Sequence, residues 1–218
     1  SDLRMTQEKH SYGCLHRIYR IARGIIGFFM SKVVTVYLLL WGVKVGKHLQ
    51  ACSFPLCRRK ASAKIEIGDN VIIQNKLSEN FAGVTHRTVL TAILPGAHLK
   101  IGNNVAMSGT ILLYCMKEII IEDNVSFGAG AKVYDTDFHS IYVDKRKEGK
   151  IEDVKKAPVR ICEGVWVGSN AVILKGVVIG ARSVIGANAV VTKDVPSDVV
   201  VAGVPAKVVK KIEPDGIR

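Results

Sequence analysis

The chain has 218 residues, 48% of them hydrophobic and 23% charged, which is enough apolar mass for a real core and excludes a disordered chain. Five scattered cysteines, Cys14, Cys52, Cys57, Cys115 and Cys162, contain no C-x-x-C pair, so a disulfide framework and a zinc knuckle are excluded and a reducing cytosol is expected. The net charge of +12 sits mainly in residues 1–60, where 11 Lys/Arg face only Asp2 and Glu8, and no helix-turn-helix, finger or RNP-like motif accompanies it, so nucleic acid is not the expected partner.

Residues 1–60 read as a basic and apolar helical segment. Arg17, Arg20 and Arg23 lie three apart, with Ile18, Ile21, Ala22, Ile25 and Ile26 at helical spacing between them. From Ile25 to Val43 only Ser31, Lys32 and Thr35 interrupt the apolar run. Lys32 near its middle makes a transmembrane span costly, by about 2.5–3.5 kcal/mol. No small-residue cleavage site follows, which is unlike a cleavable signal. Three readings of residues 15–43 stand: an amphipathic helix packed on the protein or a neighbouring subunit, a helix lying on an anionic membrane surface, and a span.

From residue 61 to 202 a six-residue rhythm governs the chain. Its early instances are IGDNVI (67–72), IGNNVA (101–106), MSGTIL (107–112), IEDNVS (121–126) and FGAGAK (127–132). From residue 161 it runs uninterrupted as ICEGVW, VGSNAV, ILKGVV, IGARSV, IGANAV and VTKDVP. Position one is always Ile or Val in this run, and position five is Val, Ala or Ser. The aliphatic and the small residue share an interior, and Gly, Asn and Asp between them permit a tight corner. One such hexad cannot bury its own face, whereas stacked coils of three can. The aromatic share of 6%, with abundant Val, Ile, Ala and Gly, agrees with stacked β-structure.

The rhythm stops at residues 134–158, a loop extruded from the stack. Loops of this length in compact folds usually form a lid or a binding wall. Asp135, Asp137 and His139 alternate where the loop leaves, so in extended backbone they share a face. A carboxylate bonded to one imidazole nitrogen leaves the other free to take a proton. Either aspartate is a candidate for that role. Residues 203–218 form a tail, opening with AGVPAKVVKKI (202–212).

These hexads, the D-x-D-F-H stretch and the GVPAK tail resemble the hexapeptide-repeat acyltransferases, in particular the capsule and exopolysaccharide O-acetyltransferases and the galactoside and maltose acetyltransferases. The resemblance implies an all-β fold, a left-handed parallel β-helix of six to eight coils with an extruded loop, plus the N-terminal helical segment. It implies an acetyl-CoA-dependent O-acetyltransferase with His139 as general base and Asp137 or Asp135 as its orienter. Trp166, Ser169, Ala187, Thr192, Lys193, Lys207 and Lys210 match the coenzyme positions, with Lys207 and Lys210 standing where the family often has Arg. Asn80, His86 and Ser108 are the acceptor candidates. It further implies a homotrimer with sites between subunits, a sugar hydroxyl of a surface glycan or its precursor as acceptor, and a cytoplasmic protein, peripheral at the inner membrane face if the N-terminal segment binds lipid. N-acetylation of an amino sugar, O-acetylation of a small alcohol such as serine, and a non-catalytic scaffold are the alternatives. A metal-dependent β-helix enzyme would need His86, His98 and His139 to converge, and no metal is expected.

Overall fold

The computed structural model describes residues 14–74 and 86–213. Asn80 lies outside the described residues. The chain begins with one long helix, α1 (Cys14–Leu40), and then winds into a three-sided prism of parallel strands.

Three flat faces build the prism. Face A carries β1 (Lys44–Val45), β4 (Lys64–Ile67), β7 (His98–Ile101), β10 (Glu118–Ile121), β13 (Val159–Ile161) and β16 (Val178–Ile179). Face B carries β2 (Gln50–Ala51), β5 (Ile72–Gln74), β8 (Ala106–Ser108), β11 (Ser126–Phe127), β14 (Trp166–Val167), β17 (Val184–Ile185), β19 (Val199–Ala202) and β20 (Lys207–Lys211). Face C carries β3 (Leu56–Arg59), β6 (Val89–Ala92), β9 (Leu112–Cys115), β12 (Lys132–Tyr134), β15 (Val172–Ile173) and β18 (Val190–Val191). The chain passes A to B to C and back, making six complete coils, and a bridge from Val195 to Ile179 starts a seventh. The prism begins at Lys44, one coil before the expected start at residue 61. The missed signal is the hexad from Val45 to Gln50, whose Gly46 and Leu49 occupy positions two and five.

The hexad phase explains the core. Ile161, Val167, Ile173, Ile179, Ile185 and Val191, all at position one, are buried, as are Val165, Ala171, Val177, Ser183, Ala189 and Val195 at position five. Each buried aliphatic side chain contributes about 1.5–3 kcal/mol relative to exposure. Ser183 is accommodated because its hydroxyl donates to Pro196 O at 2.6 Å. The corners follow from residue type. Asn70, Asn104 and Asn124 take left-handed φ of 57, 54 and 60°, which Asn tolerates better than most residues. Their amides form a ladder, Asn70 to Asn104 at 3.1 Å and Asn104 to Asn124 at 3.1 Å. Gly168 is required at another corner, where a Cβ would stand 2.6 Å from Ala187 N of the next coil.

Helix α1 caps the first coil. Val34 and Leu38 are buried, and Ser31 Oγ accepts the Ala51 N–H at 3.1 Å. At the other end β20 folds back antiparallel on β19, pairing Lys210 with Val200 and Lys207 with Ala202. Within the tail, Lys207–Lys211 is thus a strand, reached through a turn at 203–206.

Candidate active site

The extruded loop leaves from the C-to-A edge in the fourth coil, between β12 and β13. Its two ends are zipped together. Thr136 and Lys156 form an antiparallel bridge, Asp137 N–H donates to Lys155 O at 3.1 Å, and Ala157 N–H donates to Asp135 O at 3.0 Å. Beyond this stem the chain makes a tight turn. Phe138 has φ of 63°, and His139 N–H donates to Asp137 O at 2.7 Å. Such a φ is uncommon for a bulky residue and marks a turn held by its surroundings. The Phe138 ring supplies the hold, with ring centroids 4.7 Å from Tyr114 and 5.1 Å from Tyr134. Both tyrosines project outward from face C, one coil apart. This aromatic packing seats His139 at the edge with its side chain exposed. The lysine-rich remainder carries a short helix, α2 (Val143–Glu148), closed by Gly149 in the left-handed conformation.

The two aspartates part company. Asp135 is fully buried, and its carboxylate accepts four N–H bonds of 2.6–3.0 Å from Met116, Lys117 and Glu118 at the turn between β9 and β10. The expectation that Asp135 is a reserve orienter of His139 is therefore corrected, because both its oxygens are spent on main chain. Burial pushes the Asp135 carboxyl up, and those N–H donors oppose the rise. Asp137 stays at the edge, where its Oδ1 lies 2.6 Å from Lys175 Nζ on the next coil. Among the described residues no carboxylate is bonded to the His139 ring.

The expected coenzyme residues fall into two groups. Trp166 stands in β14 with its side chain 56% exposed, in one outward column of face B with Val184, Val200 and Lys210. Ser169 and Ala187 occupy the B-to-C edge on successive coils, joined by Asn188 N–H to Ser169 O at 2.9 Å. Lys207 closes this group beside Ala202. Thr192 and Lys193 instead follow β18 on the C-to-A edge, the edge of Asp137, His139 and Lys175. Face C, about six extended residues and roughly 15–20 Å wide, separates the two groups. Among the acceptor candidates, Ser108 ends β8 and His86 precedes β6, both near the B-to-C edge, and His86 N–H donates to Thr110 Oγ1 at 2.9 Å.

Cys57 and Cys115 are buried thiols, poorly placed to act as nucleophiles. Burial pushes the Cys57 thiol up to about 11 and raises Cys115 further. Cys162 sits half-buried at position two of its hexad. His98 opens β7 on face A, between Glu66 and Glu118. Among the described residues no group of three or more His, Cys, Asp or Glu side chains gathers around a point.

Coils, loop and edges together define a class. Residues 158–193 match the bacterial transferase hexapeptide model of six repeats. The galactoside O-acetyltransferase of Lactococcus lactis is 35% identical over 147 residues, covering 67% of this chain and 63% of that protein. The galactoside O-acetyltransferase of Escherichia coli is 37% identical over 117 residues, covering 54% of this chain and 56% of that protein. The chain thus spans less than two thirds of the length of these relatives. A crystal structure of a hexapeptide-repeat acetyltransferase from Vibrio cholerae, complexed with acetyl coenzyme A, superposes with a TM-score of 0.50 at 24% identity, over 93% of this chain and 92% of that one. The fold is a left-handed parallel β-helix with one N-terminal helix. The chain carries the repeat of the bacterial hexapeptide transferases and is similar to the hexapeptide-repeat acetyltransferases.

Proposed function

We propose that the protein transfers an acetyl group from acetyl-CoA to a hydroxyl of a sugar, on a surface glycan or its precursor. The carrying observation is His139, exposed at the prism edge on a turn fixed by Phe138 against Tyr114 and Tyr134. The imidazole takes the acceptor hydroxyl proton as the oxygen attacks the thioester carbonyl. The C–O bond forms, the C–S bond breaks, and the imidazolium returns the proton to the departing thiolate. Asp137, two residues before the histidine, is the carboxylate of this turn that stays at the edge, with Oδ1 on Lys175 and Oδ2 left to face the ring or the acceptor. General-base help of this kind contributes about 10²–10⁴ in rate. The resemblance to two galactoside O-acetyltransferases supports the hydroxyl acceptor.

The reading includes a homotrimer. His139 and the Trp166 group stand on different edges of one prism, so a complete site brings the C-to-A edge of one copy against the B-to-C edge of the next. Trp166, Ser169, Ala187, Lys207 and Lys210 would then hold the coenzyme opposite the neighbour's His139, with Thr192 and Lys193 reaching it from the histidine side. His86 and Ser108 lie along the same edge toward the N-terminal coils and remain the acceptor candidates.

The reading also places α1 on an anionic membrane surface. Ile21, Ile25, Ile26, Phe28, Phe29, Val33, Val36 and Leu40 are exposed along a helix whose opposite side seats on the first coil through Val34 and Leu38. By length and composition Tyr19–Leu40 is long enough to cross a membrane. A helix packed on the prism by one side is better placed to lie along the surface than to span.

The test is acetyl-CoA turnover with a panel of glycans, read by mass spectrometry. A 42-dalton gain on a sugar that disappears in His139→Ala is expected. Wild-type turnover by that variant would overturn the base assignment.

A further inference from the structure

The C-to-A edge carries a cavity N-terminal to the histidine. It measures about 530 Å³ and is walled by Arg58, Arg59, Lys60, Trp41, Thr91 and Tyr114, with Ile93 at its side. Three cations and no carboxylate line it. The Arg59 guanidinium is spent on main-chain oxygens, reaching Trp41 O at 2.9 Å and Ala63 O at 2.6 Å. Arg58 and Lys60 are exposed, and neither side chain has a hydrogen-bond or ion-pair partner among the described residues. Arg58, Thr91 and Tyr114 form one column across successive coils of face C, in register with each other. Tyr114 is also the ring on which Phe138 rests, one residue before His139. The cavity and the candidate base therefore share a wall.

We propose that this cavity binds the anionic group of an acidic sugar acceptor, a phosphate or a carboxylate, and presents the sugar hydroxyl to His139. The inference rests on the acetyl-transfer reading above. Size agrees, since ligand pockets of 300–1,000 Å³ hold small molecules and a sugar phosphate is at the small end. Chemistry agrees, since an uncompensated arginine offers a planar pair of donors that phosphate and carboxylate match. Trp41 and Tyr114 supply apolar walls for the sugar ring. Position argues against coenzyme phosphate as the occupant. The coenzyme candidates lie in the fifth coil and beyond, the histidine in the fourth, and the cavity in the first three.

Calorimetry on the full chain tests this with glucose 1-phosphate, glucuronate and neutral glucose as probes. At least one charged sugar should bind about tenfold or more tighter than glucose, a preference that one good charged contact supplies. The Arg58→Gln/Lys60→Gln pair should lose that preference, Arg58→Lys/Lys60→Arg should keep most of it, and added salt should weaken it. The exposure of both side chains leaves folding intact, which the thermal melt checks. Equal binding of charged and neutral sugars, or an unchanged preference in the Gln pair, overturns the proposal. The phosphate and carboxylate arms separate the two ligand classes. Binding needs no turnover, so His139→Ala should bind the same sugars as wild type. If His139→Ala instead retains turnover, the transfer reading falls while the calorimetry still decides the cavity.

Discussion

Lys175 Nζ stands 2.6 Å from Asp137 Oδ1 and ties the extruded loop to the fifth coil. The two side chains are 28% and 31% exposed, so the pair is part-screened by solvent and its stability contribution is about 1 kcal/mol or less. Its effect on position is larger, because Asp137 begins the turn that ends in His139. Lys175→Met should lower kcat by about tenfold while moving the melting temperature little, since a small misplacement of a catalytic group costs rate steeply. An unchanged kcat would mean that the aromatic packing of Phe138 alone places the histidine.

Asp135 anchors the other side of the loop stem. Its carboxylate gathers N–H groups from three consecutive residues, Met116 to Glu118. Asp135→Asn keeps the shape but turns an NH2 toward donors that need an acceptor. Leaving a buried donor unsatisfied costs about 1–3 kcal/mol. Chemical denaturation of the variant should show a loss of that size, and His139-dependent turnover should fall with it through the disturbed stem. A variant as stable as wild type would show that the donors find other partners.

The hexads made most of the prism legible. A period of six with inward positions one and five leaves little freedom once the chain is in phase, and twelve consecutive inward positions from Ile161 to Val195 are buried. The loop was legible for the same reason, as the place where the phase fails. The first coil was harder, because Val45, Leu49 and Cys57 carry the pattern among Lys44, Lys47 and Arg58. What sequence order does not carry is the pairing across coils. Asp135 and Asp137 are two residues apart, yet one bonds back to Met116 and the other forward to Lys175. The same blindness hid the cavity, whose walls Arg58, Thr91 and Tyr114 are brought together by coil stacking.

The split between the two edges has a consequence in mixed oligomers. His139→Ala removes the base, and Ser169→Trp should block the coenzyme edge. Each variant alone should be inactive. Co-expressed in equal amounts they should recover about a quarter of wild-type activity, because each site of a closed ring draws one edge from each of two neighbours. No recovery in oligomers shown to be mixed would mean that both edges serve one chain's own site.

Cys57 gives a prediction in alkali. Burial raises its thiol to about 11 from an ordinary 9.0. A folded-state value above the unfolded one contributes stability that is full below pH 9 and is lost as pH rises through about 11. The unfolded chain ionises first and is favoured, by roughly 2–3 kcal/mol at the top of that window. Wild type should lose melting temperature between pH 9 and 11 more steeply than Cys57→Ala, which has no thiol to ionise. Parallel slopes would assign the alkaline loss to Cys115 and Tyr134, whose hydroxyl burial also pushes up.

The membrane reading is decided by flotation. Phe28 and Phe29 are exposed on α1, and Arg17, Arg20 and Arg23 are exposed in its N-terminal half. The aromatic pair would enter the acyl boundary while the arginines meet anionic headgroups, each worth about 1 kcal/mol near the surface. The full chain should float with vesicles containing phosphatidylglycerol, less with neutral phosphatidylcholine, and less again at high salt. Replacing the three arginines by Gln should weaken binding on the order of a hundredfold, as three such contacts imply. Phe28→Ser/Phe29→Ser should weaken it on neutral and anionic vesicles alike, because that contribution is apolar. Equal binding to neutral and anionic vesicles, or none to either, would overturn the membrane assignment. A rise in oligomer size lost on Phe28→Ser/Phe29→Ser would give the helix face to another copy of the chain.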